Sequence, residues 1–187
     1  MLFTKVSIIV TLIYASLILG EEKNWTYELI SIEASTTDPD IADIAVKEKR
    51  LGRGLYAFSG FLDFKKDLDD STVVDVRVYR SSTEREQDYQ LTPFVIDNEI
   101  LTNFINFHYK AYIMPTIKEC APAAPQFEGD EEFVAPFGKK RIDVTDCDVP
   151  VDGFPNLLEY GLYKVEAYAR NEIEMHLKVV VRVEKPL

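Results

Sequence analysis

Residues 175–184 keep a period of two. Met175, Leu177, Val179, Val181 and Val183 alternate with His176, Lys178, Val180, Arg182 and Glu184. An extended strand sends successive side chains to opposite sides, so this spacing predicts a strand with one dry face. A dry face needs a second layer to cover it, which constrains the rest of the chain to supply one. Immediately upstream, Tyr163, Val165, Ala167 and Ala169 alternate with Lys164, Glu166 and Arg170, and Asn171 and Glu172 separate the two runs. The pair is predicted to form an antiparallel hairpin. Val74, Val76 and Val78 repeat the pattern against Asp75, Arg77 and Tyr79. In Leu55 to Phe64 it places Tyr56, Phe58, Leu62 and Phe64 on one face. The Asp- and Lys-rich stretch Lys65 to Ser71 reads as the turn joining those two strands. Thr26 to Ser35 supplies a first strand, with Ile30, Ile32 and Ala34 as its expected inward face.

One segment departs from this period. Ile100, Leu101, Phe104, Ile105, His108 and Tyr112 recur at helical spacing behind Asp97-Asn98-Glu99, which offer a cap and first-turn acids. Pro115 is expected to stop that helix. Residues 115–140 then carry Pro115, Pro122, Pro125 and Pro136 with the acidic run Asp130-Glu131-Glu132, predicting a long loop with room for a short edge strand. The expected fold is therefore mainly β: an antiparallel β-sandwich or β-cup with one helical insertion. At 187 residues, 47% of them hydrophobic, the chain has the material for one domain with a core. No internal repeat or linker divides residues 21–187.

Residues 1–20 read differently. Lys5 precedes an apolar run of about 14 residues, Val6 to Leu19, and Gly20 gives way to Glu21-Glu22-Lys23, the pattern of a secretory signal peptide. The alternative, a membrane anchor, needs a longer run of roughly 20 residues and more basic flanks. A secreted, extracellular protein is the expectation, cut after Gly20 or nearer Ala15. In an oxidising compartment Cys120 and Cys147 are expected to pair as a disulfide, the alternative being two buried free thiols. Zinc is disfavoured because His108 and His176 lack ligand spacing to the cysteines. Asn24-Trp25-Thr26 is a glycosylation acceptor at Asn24.

Charge narrows the partners. The chain has 32 acidic and 21 basic residues, net −11; without residues 1–20 it loses only Lys5 and reaches −12. That balance argues against the sequence-independent phosphate binding of nucleic-acid proteins and against docking on anionic lipid. It also argues against stable membrane insertion, since no second apolar stretch is long enough to span.

Catalytic patterns are sparse. There is no Gly-x-Ser-x-Gly, phosphate-cradling glycine loop or His-Glu-x-x-His. Asp69-Asp70 lie in a charged turn where nothing would raise a carboxyl pKa for glycosidic chemistry. Asp67-Leu68-Asp69-Asp70 lacks the ligand spacing of a calcium loop. A secreted hydrolase would have to recruit His108 or His176 as its base. A non-enzymatic protein without cofactor or metal is the expectation. The aromatic load is heavy: 11 Phe, 10 Tyr and 1 Trp. Tyr56, Phe58, Leu62 and Phe64 on the strand, with Phe104, Phe107 and Tyr112 on the helix, are the candidate lining of an apolar cavity between them. Phe107 and Tyr109 fall off the main helical stripe, and the plain alternative for each ring is ordinary core.

Five stretches carry a family resemblance. Phe58-Ser59-Gly60-Phe61-Leu62-Asp63-Phe64 is followed by Asp67-Leu68-Asp69-Asp70-Ser71 and by Val76-Arg77-Val78-Tyr79-Arg80-Ser81-Ser82. With Tyr112-Ile113-Met114-Pro115-Thr116-Ile117-Lys118-Glu119-Cys120 and Phe154-Pro155 before Gly161-Leu162-Tyr163-Lys164-Val165, this order resembles the insect CheA/CheB-type chemosensory proteins. Those are small secreted relatives of the ganglioside activator and of ML-like lipid-recognition proteins. The resemblance implies a β-cup with an apolar interior and a part in gustatory perception of cuticular hydrocarbons or similar pheromones. The ganglioside activator has several disulfides where this chain can form one, a departure at the cup rim. The expected function is a secreted lipid- or pheromone-binding protein acting beside a sensory receptor. The alternative is a secreted protein that docks a receptor or partner through its aromatic helix without a lipid ligand.

Overall fold

A computed structural model describes residues 23–52, 55–149, 151 and 154–186; the expected signal peptide lies outside them. Among the described residues the chain forms eight antiparallel strands and one helix. The strands are β1 Thr26–Thr36, β2 Ala42–Gly52, β3 Leu55–Phe64, β4 Val73–Ser81, β5 Gln90–Ile100, β6 Lys140–Cys147, β7 Gly161–Arg170 and β8 Met175–Glu184. They make a five-stranded sheet ordered β1-β8-β7-β4-β5 and a three-stranded sheet ordered β2-β3-β6. This is the expected mainly-β sandwich with a helical insertion. The two sheets approach each other along β1 and β2, which leaves β5 and β6 as free edges on the far side.

The predicted hairpin is present: β7 pairs with β8 from Gly161↔Val183 to Ala169↔Met175, and Asn171 takes a left-handed φ of 79° in its loop. That loop also contains Ile173, which is buried and extends the core beyond the strand ends. The inward face of β1 is the predicted one at Ile32 and Ala34 but not at Ile30. A bulge between Leu29 and Ser31 shifts the register, so Leu29 and Ile32 are buried while Ile30 is turned out. Lys65 to Ser71 does join β3 to β4, but it carries the chain from one sheet to the other. Leu68 anchors that crossing by exchanging two backbone hydrogen bonds with Phe137, 2.9 and 2.7 Å. The acids flanking Leu68 fasten backbone: Asp67 accepts from the Lys139 N–H and Asp70 from the Thr102 N–H, at 2.7 and 2.8 Å.

Helix α1 runs without a break through Leu101–Asn103, Phe104–Ile113 and Met114–Ile117, and its middle ten residues are π-helical. Asp97-Asn98-Glu99 do not cap it. They finish β5, where Asn98 takes a left-handed φ of 57° and donates its N–H to the buried Asp75 carboxylate at 2.9 Å. The first helical N–H groups are taken instead by the Thr72 carbonyl and the Asp70 carboxylate. Nor does Pro115 stop the helix, which continues to Ile117. Bonding from i to i+5 puts more residues in each turn than an α-helix has, so the apolar contacts recur every fourth residue. Leu101 and Ile105 are buried, and Tyr109 and Ile117 pack against the same cluster. Cys120, just past the helix, is bonded to Cys147 at the end of β6, as expected.

One glycine is set by close approach. At Gly60 an added Cβ would sit 1.9 Å from the Ala45 carbonyl oxygen of the neighbouring strand, so β2 and β3 pair closely only because that side chain is absent.

Candidate ligand site

The inner faces of the sheets are buried at both ends and open in the middle. At one end Ala42, Ile44, Ile142, Val144 and Met175 join Leu101 and Ile105 of α1 in one buried cluster. At the other, Trp25, Leu29, Val78, Tyr163, Val181 and Val183 form a second. Between them, strand register aligns Ile96 with Val76, Val76 with Ala167, Ala167 with Leu177 and Leu177 with Ala34. These five residues form one row across all five strands, and every one of them is only half-buried. Val165 and Val179 beside the row are half-buried too, whereas Val180, on the opposite face of β8, is buried. Central-strand residues on the side turned toward the second sheet keep solvent-reachable surface only when that sheet does not close over them. We infer from this an apolar cleft across the sheet. Four strand spacings of ~4.8 Å make it about 19 Å long. Its five-residue floor carries no charged or polar side chain, and Val46, Phe58 and Leu62 are half-buried on the facing sheet.

The cavity expected between β3 and α1 is not where the opening lies. That space holds a chain of rings supplied mainly by the 118–139 loop. Tyr109 meets Phe127 at 6.5 Å, Phe127 meets Phe133 at 6.4 Å, Phe133 meets Phe137 at 6.3 Å and Phe137 meets Phe64 at 5.3 Å between centroids. Asn106 holds the loop by donating to the Phe133 carbonyl and accepting its N–H, at 2.9 and 2.8 Å. Of the candidate lining, Phe58, Leu62, Phe64 and Phe104 pack against the first cluster and Tyr56 against the second. Phe107 and Tyr112 stand outside, 66% and 47% exposed, and so line no interior. The helical period is the reason: with 3.6 residues per turn Tyr109 falls off the stripe, but in the wider π turn it faces inward. Its hydroxyl donates to the Pro125 carbonyl at 2.8 Å, and burial pushes its pKa up to about 12. The row Ile96–Val76–Ala167–Leu177–Ala34 was missed because it exists only across strands, and no single segment displays it.

The candidate charged groups lie away from this row. Asp75 is the buried carboxylate, its side chain 3% exposed, paired with Arg170 on the outer side of β4. Burial pushes its pKa up, but the Asn98 N–H and the Arg170 guanidinium outweigh that and hold it below the usual carboxylate range. His108 lies 3.9 Å from the Glu99 carboxylate, in a ring row with Phe104 and Tyr112 at 5.9 and 6.4 Å. His176 stacks on Tyr168, centroids 4.3 Å apart, on the outer face of the large sheet. Asp69 accepts the Ser71 N–H at 2.7 Å, which lowers its pKa; it lies at the surface, and its own N–H donates to the Glu172 carboxylate at 2.8 Å. Among the described residues no group of three His, Cys, Asp or Glu side chains is placed to hold a metal ion.

Two open concavities, of about 410 and 240 Å³, are lined mainly by polar side chains; the first lies at the connection between β4 and β5 and the second beside it, at the start of β7 and the end of β8. The apolar row is accordingly an open cleft and not the enclosed volume that the aromatic content predicts. Among the described residues no helix is long and apolar enough to cross a membrane. Asn24 is exposed at the start of β1, and its Oδ1 accepts the Leu158 N–H at 3.2 Å.

Comparison with known proteins finds neither a family model nor a curated protein sequence that matches this chain.

Proposed function

We propose that the protein is a secreted, non-enzymatic carrier of an apolar molecule, a lipid, cuticular hydrocarbon or pheromone, held in the cleft between its sheets. The observation that carries this reading is the half-buried apolar row Ile96–Val76–Ala167–Leu177–Ala34. A floor without charge offers nothing to an ionic substrate and about 0.8 kcal/mol to each methylene it takes from water. The signal-peptide pattern and the Cys120–Cys147 disulfide support export. The resemblance to CheA/CheB-type proteins supports a role in gustatory chemosensation, and the net charge supports solubility at high concentration. Glycosylation at Asn24 accords with its exposure.

Native mass spectrometry of the protein purified from a secreting host tests the reading, with an expected adduct of lipid mass. After solvent stripping, a fluorescent fatty acid is expected to bind with its emission blue-shifted. A stripped, folded protein that takes up no such probe would refute the carrier.

A specific observation favours the second reading, a partner-docking protein. The exposed rings of Phe107 and Tyr112, with His108 stacked beside Tyr112, leave an aromatic face on the outer side of α1. Replacing Phe107 and Tyr112 by Ser separates the two: the carrier keeps its ligand, whereas the docking protein loses its partner.

A further inference from the structure

The concavity of about 410 Å³ at the β4–β5 connection falls in the size range of small-ligand pockets, yet its chemistry is the opposite of the cleft's. Its lining has no aliphatic side chain, so a hydrocarbon entering it would bury nothing against apolar surface. Nor does it offer a net charge to an ion. Arg80 is already paired with the Glu159 carboxylate and donates to the Tyr160 carbonyl at 2.8 Å, while Asp88 accepts from Arg85 at 2.8 Å and from the Thr83 hydroxyl. What remains is a set of neutral donors and acceptors. Ser82, Gln87, Tyr89 and Gln90 line the groove, their side chains making no hydrogen bond among the described residues, and the Arg80 Nε is buried without a partner among them. Tyr89 is half-buried with one side of its ring under the Lys164 ammonium, 5.1 Å from the centroid. Burial raises its pKa, so the phenol stays neutral and able to donate. Ser82 also lines the second groove of about 240 Å³, which adds the half-exposed Tyr160 ring beside two acids and two bases, Glu84, Glu184, Arg182 and Lys185, with Glu84 and Arg182 paired at 3.3 Å.

We propose that these adjoining grooves bind a neutral saccharide of two or more units, through the Ser82, Gln87, Tyr89 and Gln90 side chains. A neutral ligand dense in hydroxyls is the class that satisfies amide and hydroxyl groups pairwise while requiring neither apolar burial nor a counter-charge. A peptide is disfavoured because its side chains would find no apolar pocket. The site is independent of the apolar cleft and keeps its properties whether or not a lipid is carried.

Saturation-transfer NMR on the intact protein, with the methyl glycosides of glucose, galactose and N-acetylglucosamine and the matching disaccharides, tests this directly. At least one glycoside is expected to receive saturation, with the disaccharide bound more tightly. Gln87→Ala combined with Gln90→Ala is expected to weaken binding about tenfold, the effect of one to two lost hydrogen bonds. Tyr89→Phe is expected to weaken it less. The altered side chains are unbonded within the protein, so an unchanged thermal midpoint is expected to accompany the loss. Absence of saturation for every glycoside, binding undiminished in the double variant, or displacement of the sugar by sulfate or by an unglycosylated peptide at equal concentration would each overturn the assignment.

Discussion

Placing a ring in the middle of the cleft separates an open sandwich from a filled one. Ala167 is the central member of the five-residue row, flanked by Val76 and Leu177 on neighbouring strands. In a close-packed interior, Ala167→Phe forces neighbours off their rotamers and costs about 1–3 kcal/mol. Above an open cleft the ring has somewhere to go, and the expected change in unfolding free energy is under about 0.5 kcal/mol. The same ring displaces ligand. If it takes the place of about four methylenes, at about 0.8 kcal/mol each, binding weakens by about 3 kcal/mol. That corresponds to roughly 200-fold in Kd at 1.4 kcal/mol per tenfold. Urea unfolding reports the first quantity, and displacement of a fluorescent fatty acid reports the second. A variant destabilised by 1–3 kcal/mol that still binds the probe with its original affinity would refute the reasoning, because it would mean the row is packed and the ligand lies elsewhere.

Three further outcomes follow from the geometry. Replacing both cysteines by Ser removes a cross-link between residues 27 apart in sequence, with an expected loss of about 3.5 kcal/mol in the chain-entropy picture, read as a lower urea midpoint. Asp75→Asn keeps the shape but gives up the charge facing Arg170, and is expected to cost about 2 kcal/mol, discounted because Arg170 is 45% exposed. The folded pKa of Asp75 is depressed, so its contribution is complete above the unfolded value near 3.9 and disappears as pH falls through the folded value; acid titrations of the two proteins should converge there. Finally, Tyr109→Ala is expected to cost about 3 kcal/mol by removing a ring from the chain that fills the space beneath α1, whereas Phe107→Ser stays within about 0.5 kcal/mol in thermal unfolding.

Much of the fold was legible because period-two alternation survives wherever one face stays dry, as in β4, β7 and β8. It was obscured where charge overrides it. In β2, Lys47-Glu48-Lys49-Arg50 follow the buried Ala42 and Ile44, and the strand reads as surface. In β5, Leu91, Phe94, Val95 and Ile100 are all exposed, so an edge strand with little burial leaves no clean pattern. The same charges that end β5, Asp97-Asn98-Glu99, mimic a helix cap. Ile30 illustrates another limit, since a bulge puts one residue out of step: Ile32 and Ala34 after it keep the predicted face, whereas Leu29 before it is the buried residue. The candidate lining was not legible in place. The aromatic content pointed to an apolar interior, but the rings fill the space under α1, and the cleft is floored by Ile, Val, Ala and Leu residues far apart in sequence. An i→i+5 helix leaves no mark in a pattern judged at 3.6 residues per turn, and Phe107 and Tyr109 exchange sides as a result.

If the cleft carries a lipid, the approach of the sheets along β1 and β2 would make the protein a measuring device. A tail threaded in from the β5 edge, past Phe94 and Ile96, would travel across the strands until the β1–β2 seam halted it. Width is set by two leaves joined at one spine and can give; depth is set by the number of strands and cannot. Such a receptacle would sort its cargo by chain length and tolerate branching or unsaturation near the entrance.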